Sequence, residues 1–386
     1  MRLSSRIATM DPSPTLAVKE QAAELRNQGR SIIDLSAGDP DFDTPDHIKE
    51  AAREAIAENF THYTAASGIL PLKEAVVEQY NQRYERDYGT DEVIISVGAK
   101  HALYNIMMVL VQEGDEVLIP SPYWVSYPAQ VRLAGAKSSY VTTTSESGFS
   151  LQASQVEAEI SDSTEVLLLN SPNNPTGAII ERDELQRIHQ VCLDHGVTLV
   201  YDECYGDLIY EDEHVSAAEL PQEDVVIVNS VSKTYAMTGW RIGYTLGPPE
   251  VIGAMGRLQS HSTSNPCSIS QKAAVAALKG PKGPTREMVE QLDRRRKYLL
   301  ETLKDIGGLK FTYPRGAFYL WLDISELMDP DENSSDFAQR LLSEVGVATV
   351  PGGAFGEEGY IRLSYAKKME QLKEGISRLE EFASRQ

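Results

Sequence analysis

The sequence is poor in cysteine and in long apolar runs, and each shortage narrows the class of protein. Its 386 residues include three cysteines, Cys192, Cys204 and Cys267, which show neither CxxC pairing nor the spacing of a zinc site. This pattern argues against a disulfide framework, predicts no metal site and favours a reducing compartment. No stretch approaches the roughly 20 apolar residues that span a bilayer, and the N-terminus lacks the apolar segment of a signal peptide. We therefore expect a cytoplasmic protein.

Basic residues are also scarce relative to acidic ones, 36 against 57, which gives a formal net charge of −21. A field of this sign repels nucleic acid and anionic membranes, so neither is expected as a partner. The acidic residues are dispersed, as on a solvated surface, and a high-salt cytoplasm is one hypothesis for their number. An anionic substrate or cofactor would have to be held by a local cluster of basic groups.

Strand-like and helix-like segments alternate along the middle of the chain, which predicts an α/β fold with a mostly parallel sheet between helices. The predicted strands are 91–97, 115–119, 165–169, 197–201 and 225–228, and the predicted helices are 99–111 and 183–195. From about residue 286, a long charged helix and further strands indicate a smaller α/β domain. We predict a large domain (46–285), a small C-terminal domain (286–386), and an N-terminal segment (1–45) that packs with the small domain.

Conspicuous polar and aromatic residues come just after five of these strands. They are Gly98-Ala99-Lys100, Pro122-Tyr123-Trp124, Asn170–Gly177, Asp202-Glu203-Cys204-Tyr205 and Ser230-Val231-Ser232-Lys233. Ligands collect at the carboxyl ends of the strands in an open parallel sheet, so the five loops are predicted to converge on one crevice. Turn chemistry explains each loop separately, but it does not explain why these residue types arrive together.

Lys233 is the most informative of these residues. It follows an apolar β-branched run, 225–228, and burial there would lower its pKa and make its amine a usable nucleophile or base. An imine-forming lysine, an acid, a stacking aromatic residue and phosphate-binding groups would together suit a phosphorylated pyridine aldehyde. Gly98 opens a helix whose free N–H groups and dipole would favour the same phosphate.

Six motifs resemble those of the class I aminotransferases, which are fold type I enzymes that use pyridoxal 5′-phosphate (PLP). They are LSAGDPDF (35–42), HYTAASGI (62–69), NNPTG (173–177), YDECY (201–205), SKTYAMTGWRIGY (232–244) and YIRLSYA (360–366). The resemblance runs from about residue 3 to the C-terminus. The similar branch contains the bacterial and archaeal aspartate aminotransferases and their prephenate-using relatives. It implies a three-layer αβα fold whose large domain binds PLP.

The resemblance also implies roles around the cofactor ring. Lys233 is expected to form the Schiff base with PLP and to carry the proton during catalysis. Asp202 is expected to pair with the pyridinium nitrogen and keep it protonated. Tyr205 and Asn174 are expected to hydrogen-bond the ring hydroxyl, with Asn173 as the neighbour that could take the place of Asn174.

Trp124 is expected to stack on the cofactor ring, and Tyr123 is its competitor for that role. The resemblance gives the phosphate to Ser230, Arg241 and the backbone of Gly98 and Ala99, whereas Ser232 is expected to shape the turn. In this family a tyrosine of the partner subunit also reaches the phosphate, and Tyr63 matches it. A homodimer with shared active sites is therefore expected.

Four residues match substrate contacts of the family. Arg362 is expected to bind the α-carboxylate through a bidentate pair, and Gly38 to offer its amide from a segment that closes on binding. Lys100 and Thr15 match positions that this branch uses for a distal carboxylate. The resemblance thus implies a ping-pong aminotransferase with aspartate or glutamate as donor and 2-oxoglutarate as acceptor.

Other functions fit parts of the sequence. An aromatic-amino-acid or prephenate aminotransferase is the alternative within the branch, and a PLP-dependent β-lyase or decarboxylase would use the same fold. A PLP-binding transcriptional regulator would need an N-terminal winged helix, for which the first 45 residues lack the length and the basic charge. A nicotinamide dehydrogenase lacks its fingerprint, because PGGAFGEEG (351–359) precedes a strand and lacks the GxGxxG spacing.

Overall fold

The computed structural model describes residues 14–385 continuously, together with residues 4, 7, 10 and 12. Part of the predicted N-terminal segment, 1–45, therefore lies outside the described residues. Within the described part of the chain, no helix is both long enough and apolar enough to cross a membrane.

Helices and strands alternate as the sequence predicts. In chain order the strands are β1 (Ile33–Asp34), β2 (Val93–Ser96), β3 (Glu116–Ser121), β4 (Lys137–Thr142), β5 (Thr164–Asn170), β6 (Thr198–Asp202), β7 (Val225–Ser230), β8 (Gly243–Leu246), β9 (Lys310–Phe311), β10 (Tyr319–Asp323), β11 (Val347–Ala348), β12 (Val350–Pro351) and β13 (Tyr360–Ser364). The helices are α1 (Pro14–Asn27), α2 (Asp46–Ala57), α3 (Leu70–Tyr84), α4 (Ala99–Leu110), α5 (Ser126–Ala134), α6 (Ala153–Glu159), α7 (Arg182–His195), α8 (Val231–Thr234), α9 (Pro249–Ser262), α10 (Ser268–Lys279), α11 (Gly283–Leu303), α12 (Ser334–Val345) and α13 (Met369–Ala383).

A seven-stranded sheet forms the middle layer, with the strand order β2-β8-β7-β6-β5-β3-β4. Successive residues of a strand point to opposite faces, and here both faces are apolar. Leu199 and Tyr201 of β6 belong to a core with α3, α7 and α10, whereas Val200 belongs to a core with α4, α5 and α9. The predicted α/β fold with three αβα layers is confirmed.

Two strands of this sheet were not predicted. β4 is an edge strand, largely exposed, and its sequence KSSYVT carries little apolar signal. β8 is short and directly follows the SKTYAMTGWRI motif, and it pairs antiparallel with both β2 and β7. The other pairings in the sheet are parallel, so the sheet is mostly parallel as expected.

The C-terminal part of the chain forms an antiparallel sheet, β12-β13-β10-β9, which packs with α11 and α13 around an apolar core. β1 pairs in parallel with β11, so that Ile33 lies opposite Val347. The packing of the N-terminal segment against the small domain stays a prediction, and this pairing supports it. The domain boundaries at 45 and 285 stay predictions.

The parallel pairing brings the polar strand ends together. Asn170, the last residue of β5, lies opposite Asp202, the last residue of β6. β7 ends at Ser230 on the same edge, and α8 with Lys233 follows directly. The loops after three neighbouring strands therefore open into one space, as the sequence analysis predicted.

Candidate active site

A cavity of about 370 Å³ lies at this edge of the sheet and extends to the small domain. Pockets of this size are typical of small-molecule sites. It is lined by all the predicted site residues except Gly98 and Tyr63, namely Thr15, Gly38, Ala99, Lys100, Trp124, Asn174, Asp202, Tyr205, Ser230, Lys233, Arg241 and Arg362. Ser232, expected only to shape the turn, also lines it.

Lys233 enters the cavity from a tight turn. Ser230 caps α8, because its hydroxyl oxygen accepts a hydrogen bond from the amide of Ser232 at 3.3 Å. The Lys233 amine donates to the carbonyl oxygen of Gly38. Although Lys233 is partly accessible from the cavity, desolvation by the surrounding protein lowers its pKa to about 8. The neutral amine that a nucleophile or base requires is therefore more populated near neutral pH than in an ordinary lysine.

Asp202 is a buried acid, only 4% exposed, at the end of β6. Its Oδ2 accepts a hydrogen bond from the Tyr127 hydroxyl at 2.9 Å, and its Oδ1 accepts from the amide of Cys204 at 3.0 Å. Burial raises the pKa of the carboxyl, and neither of the hydrogen bonds that oppose this effect comes from a basic side chain. A cationic ring nitrogen in the cavity would supply the missing charge.

Arg362 is a buried cation, only 2% exposed, on β13. Its two terminal nitrogens donate to Asn174 Oδ1 and to the carbonyl oxygen of Ser36, both at 2.8 Å. Its Nε has no hydrogen-bond partner among the described residues, and burial lowers the pKa of the guanidinium. Burying a charge without an opposite charge is costly, so this group is suited to bind a carboxylate.

The Arg241 side chain lies close against the backbone of Gly98 at the start of α4. Gly98 precedes the helix at φ 80°, in the left-handed region that favours glycine. A Cβ added there would lie 2.4 Å from Nη2 of Arg241. The Arg241 guanidinium donates to the carbonyl oxygen of Thr238 at 2.8 Å. The first amides of α4 and this cation thus meet at one point, where an anion would be favoured.

Geometry distinguishes the two aromatic candidates. Trp124 lines the cavity, and its ring meets that of Tyr127 edge-on with the centroids 5.4 Å apart. Tyr123 instead stacks on Tyr140, with the ring centroids 4.9 Å apart, and its amide donates to the carbonyl oxygen of Phe355. Only Trp124 of the two is therefore positioned to meet a ligand in this cavity.

The two asparagines differ in the same way. Asn174 lines the cavity and accepts the bond from Arg362. Asn173 closes its own turn, because its Oδ1 accepts from the amide of Thr176 at 3.1 Å and from the Thr176 hydroxyl at 2.9 Å. The side-chain oxygen of Asn173 is therefore occupied by hydrogen bonds within the turn.

The residues matched to a distal carboxylate lie at the outer part of the cavity. The Lys100 amine lies 4.8 Å from the ring centroid of Trp124, and burial together with the nearby Arg241 charge lowers its pKa. Thr15, in the first turn of α1, also lines the cavity. Tyr63 is 90% exposed and does not line the cavity of its own chain.

Among the residues that hydrogen-bond to this constellation, Ser36, Tyr127, Asn170 and Tyr319 were given no role from the sequence, although Asn170 begins one of the predicted polar loops. Tyr127 lies three residues after Trp124, a spacing that places helical residues on one face and could have suggested it. Asn170 directly follows the predicted strand 165–169, and a polar residue at a strand end is also a signal. Tyr319 gives no local signal, because it belongs to the small domain and reaches the cavity only through tertiary packing.

Comparison with known proteins agrees with this fold. Residues 30–379 match the family model described as aminotransferase class I and II. The chain belongs to this family, so it is an aminotransferase and its cofactor is PLP, as the motifs predicted.

Several members of the family are similar over their whole length. The aspartate aminotransferase of Geobacillus stearothermophilus is 45% identical over 99% of each chain. The aspartate/prephenate aminotransferase of Thermus thermophilus is 44% identical over 97% of each chain. The solved structure of the aspartate aminotransferase from Thermus thermophilus with maleate has a TM-score of 0.94 and 43% identity, covering 99% of this chain and 100% of that one.

The residues around the cavity fit PLP. The Arg241 guanidinium can lie against Gly98, beside the first amides of α4, only because glycine has no Cβ. Asp202 is a buried acid that lacks a cation, and Lys233 is a desolvated amine. Phosphate, ring nitrogen and aldehyde would each meet a group of suitable chemistry.

Proposed function

We propose that this chain transfers the amino group of aspartate or glutamate to a 2-oxo acid in a ping-pong cycle, with 2-oxoglutarate as the acceptor when aspartate is the donor. The observation that carries the proposal is the buried Arg362, a guanidinium without a carboxylate partner among the described residues, facing the same cavity as Lys233. The names of the similar aspartate aminotransferases support the choice of donor.

When bound, PLP supplies the aldehyde that takes up the amino group and the ring that delocalises the electrons left behind by the α-proton. Ser230, Arg241 and the first amides of α4, at Gly98 and Ala99, would bind its phosphate. Trp124 would stack on its ring, which Asp202 would hold protonated at the nitrogen. The cavity position and burial of these groups support the assignment.

Tyr205 and Asn174 would hydrogen-bond the ring hydroxyl, and both line the cavity. Arg362 would hold the substrate α-carboxylate in a bidentate pair, with the amide of Gly38 as a further donor. Lys233 would move a proton at the substrate α-carbon through its Nζ. Its pKa of about 8 suits that task, because the amine can both accept and return a proton near neutral pH.

Lys100 and Thr15 would meet the distal carboxylate of a dicarboxylic substrate. Lys100 is disfavoured at a helix start by the helix dipole, so an anion nearby would relieve that cost. A lysine is a flexible point charge and would tolerate carboxylates of different reach. Prephenate or an aromatic amino acid is the second candidate substrate, which the name of the aspartate/prephenate relatives favours.

The active site would be shared between two chains of a homodimer. Tyr63 is exposed on its own chain, which suits a side chain that reaches the phosphate of a partner subunit. A cytoplasmic location is proposed from the dispersed cysteines, all of which are free.

The test begins with Lys233. Borohydride reduction of the wild-type enzyme should attach the cofactor to the peptide that contains Lys233, as mass spectrometry of the digest would reveal. Lys233→Ala should still bind PLP through its other contacts but lose steady turnover. A label on another lysine would contradict the assignment. Among a panel of amino acids, aspartate or glutamate should then cause the fastest loss of the absorbance of lysine-bound PLP. Release of pyruvate from β-substituted substrates would instead indicate a β-lyase.

A further inference from the structure

We propose that Tyr319 is a positioning residue that connects Arg362 to Tyr205. The proposal rests on the proposed function, in which Arg362 binds the substrate carboxylate and Tyr205 the ring hydroxyl of the cofactor. No motif pointed to Tyr319, which is 1% exposed at the start of β10 and lines the cavity. It contacts three of the proposed site residues.

The first contact is with Arg362. The guanidinium carbon lies 4.2 Å from the centroid of the Tyr319 ring, inside the range of a cation–π interaction. The ring supports the guanidinium without neutralising its charge, so the cation stays available to a carboxylate. Two N–H groups of Arg362 are held in hydrogen bonds within the protein, which leaves its remaining donors for a ligand. The face of the Tyr319 ring restrains the plane of the guanidinium and therefore the direction of those donors.

The second contact is with Tyr205. The two phenolic oxygens lie 2.8 Å apart, and both residues are buried. Each hydroxyl has one proton, so when Tyr319 donates to Tyr205, the proton of Tyr205 is free to be donated to the cofactor. A hydroxyl that accepts one hydrogen bond is a stronger donor of the next, because the bonds polarise one another.

The third contact is with the segment that carries Gly38. A Cβ on Gly38 would lie 2.7 Å from the Tyr319 hydroxyl oxygen, so the backbone of this segment passes directly over that group. Gly38 also accepts the hydrogen bond from Lys233. Tyr319 thus contacts three parts of the proposed site. These are the group that would bind the substrate carboxylate, the group that would bind the ring hydroxyl, and the segment that carries Gly38.

Tyr365 provides a matched control. It is also fully buried in the core of the small domain, and its hydroxyl donates to the carbonyl oxygen of Ala317 at 3.3 Å. It does not line the cavity. Substituting Tyr365 should therefore cost comparable stability without changing the site.

The hydroxyl is tested in the PLP-loaded enzyme with Tyr319→Phe and Tyr365→Phe. A donor to the ring oxygen of the cofactor withdraws negative charge from it, and a weaker donor leaves the cofactor more basic. The midpoint of the pH-dependent absorbance change of the bound cofactor should rise by about half to one pH unit in Tyr319→Phe, the scale of one hydrogen bond. Tyr365→Phe should leave it unchanged.

The ring is tested with Tyr319→Leu and Tyr365→Leu, using maleate as the probe. Tyr319→Leu should bind maleate about 3- to 30-fold more weakly, the range of a cation–π contact, and should raise KM more than it lowers kcat. Tyr319→Phe, which keeps the ring, should retain the affinity for maleate, and Tyr365→Leu should also retain it.

Different results would contradict the role of Tyr319 and the proposed function. An unchanged absorbance midpoint in Tyr319→Phe together with unchanged maleate affinity in Tyr319→Leu would overturn the role of Tyr319, and equal effects of the Tyr365 variants would do the same. If wild type and Arg362→Leu bind maleate equally well, the carboxylate site itself is wrong, and the proposed function fails with it.

Discussion

The pKa values of three desolvated groups, Lys233, Asp202 and Arg362, are shifted from those of ordinary surface residues. Desolvation is the largest cause for each: it lowers the pKa of the lysine and of the arginine, and it raises the pKa of the aspartate. All three line one cavity. Perturbed groups that converge in this way are characteristic of catalytic sites, and their surroundings define what each substitution should do.

We expect Asp202→Asn to reduce kcat strongly while changing stability little. The two side chains are nearly isosteric, but the amide cannot hold the cofactor nitrogen protonated, and kcat should fall about 10²- to 10⁴-fold. Steady-state kinetics and thermal unfolding with PLP present would measure the two effects. Asp212→Asn is the matched control, since Asp212 pairs with Arg315 and does not line the cavity. Near-native turnover of Asp202→Asn would show that the ring nitrogen is bound elsewhere.

Lys100→Ala should lower kcat/KM for acidic substrates by about 1.5–3 kcal/mol, the scale of a charged hydrogen bond, while apolar amino acids change little. Because the pKa of Lys100 is lowered, the preference for acidic substrates should weaken as the pH rises through that lowered value. Lys73→Ala is the control, because Lys73 is also partly desolvated but does not line the cavity. Equal losses for aspartate and phenylalanine would assign Lys100 to the cofactor or the fold.

At the scale of elements, the segment that follows β1 connects the two halves of the site. Gly38 accepts from Lys233, and Asp39 accepts from the Thr238 hydroxyl at 2.6 Å. Asp41 forms an ion pair with Arg295 of α11, with a shortest distance of 2.6 Å. One short stretch of chain is therefore tied both to the turns around α8 and to the first helix of the small domain.

The turn before α4 allows a prediction at the same scale. Gly98→Ala should weaken PLP binding, because the new methyl group would displace the Arg241 guanidinium as well as strain the backbone. Gly29→Ala is the control: Gly29 has a similar φ, 86°, but a Cβ there meets nothing within 4 Å. Both variants should lose about 1 kcal/mol of stability from strain. Fluorescence titration with PLP should detect weaker binding in Gly98→Ala alone, and equal affinities would remove the phosphate from this turn.

At the scale of the whole molecule, the charge around the cavity is opposite in sign to the net charge. The chain carries −21 overall, yet the titratable side chains that line the cavity include four basic residues and a single acid: Lys100, Lys233, Arg241, Arg362 and Asp202. Acidic groups are spread over the remainder of the chain. The local excess of positive charge is what an anionic cofactor and anionic substrates require.

The proposed shared site predicts complementation between subunits. Mixed dimers of Tyr63→Phe and Lys233→Ala combine one intact site with one that carries both substitutions, so activity at limiting PLP should exceed that of either parent. The control mixes Lys233→Ala with the double variant, which leaves no site with Lys233. Subunit exchange would be verified independently by mass spectrometry. Absence of a gain despite exchange would refute the role of Tyr63.

Local patterns in the sequence were sufficient for the sheet strands at 93–96, 164–170 and 225–230 and for the polar residues that follow them. An apolar β-branched run reports burial on both faces, and the rule for parallel sheets brings the strand ends together. The edge strand β4 was missed because exposure removes that apolar signal. β8 was missed because its residues, GYTL, form no continuous apolar or β-branched run.

The motifs were sufficient to identify the family and the cofactor, and they named twelve of the residues that line the cavity. Only the tertiary structure distinguished Trp124 from Tyr123 and Asn174 from Asn173, because neighbours in sequence share a motif but not a direction. Only the tertiary structure brought Tyr319 to Arg362 and Tyr205, since these residues come from distant segments. The sequence by itself determined which chemical groups are present and near which strand ends. Packing decided which of them meet, because contacts between distant segments depend on the arrangement of both domains and leave no local pattern.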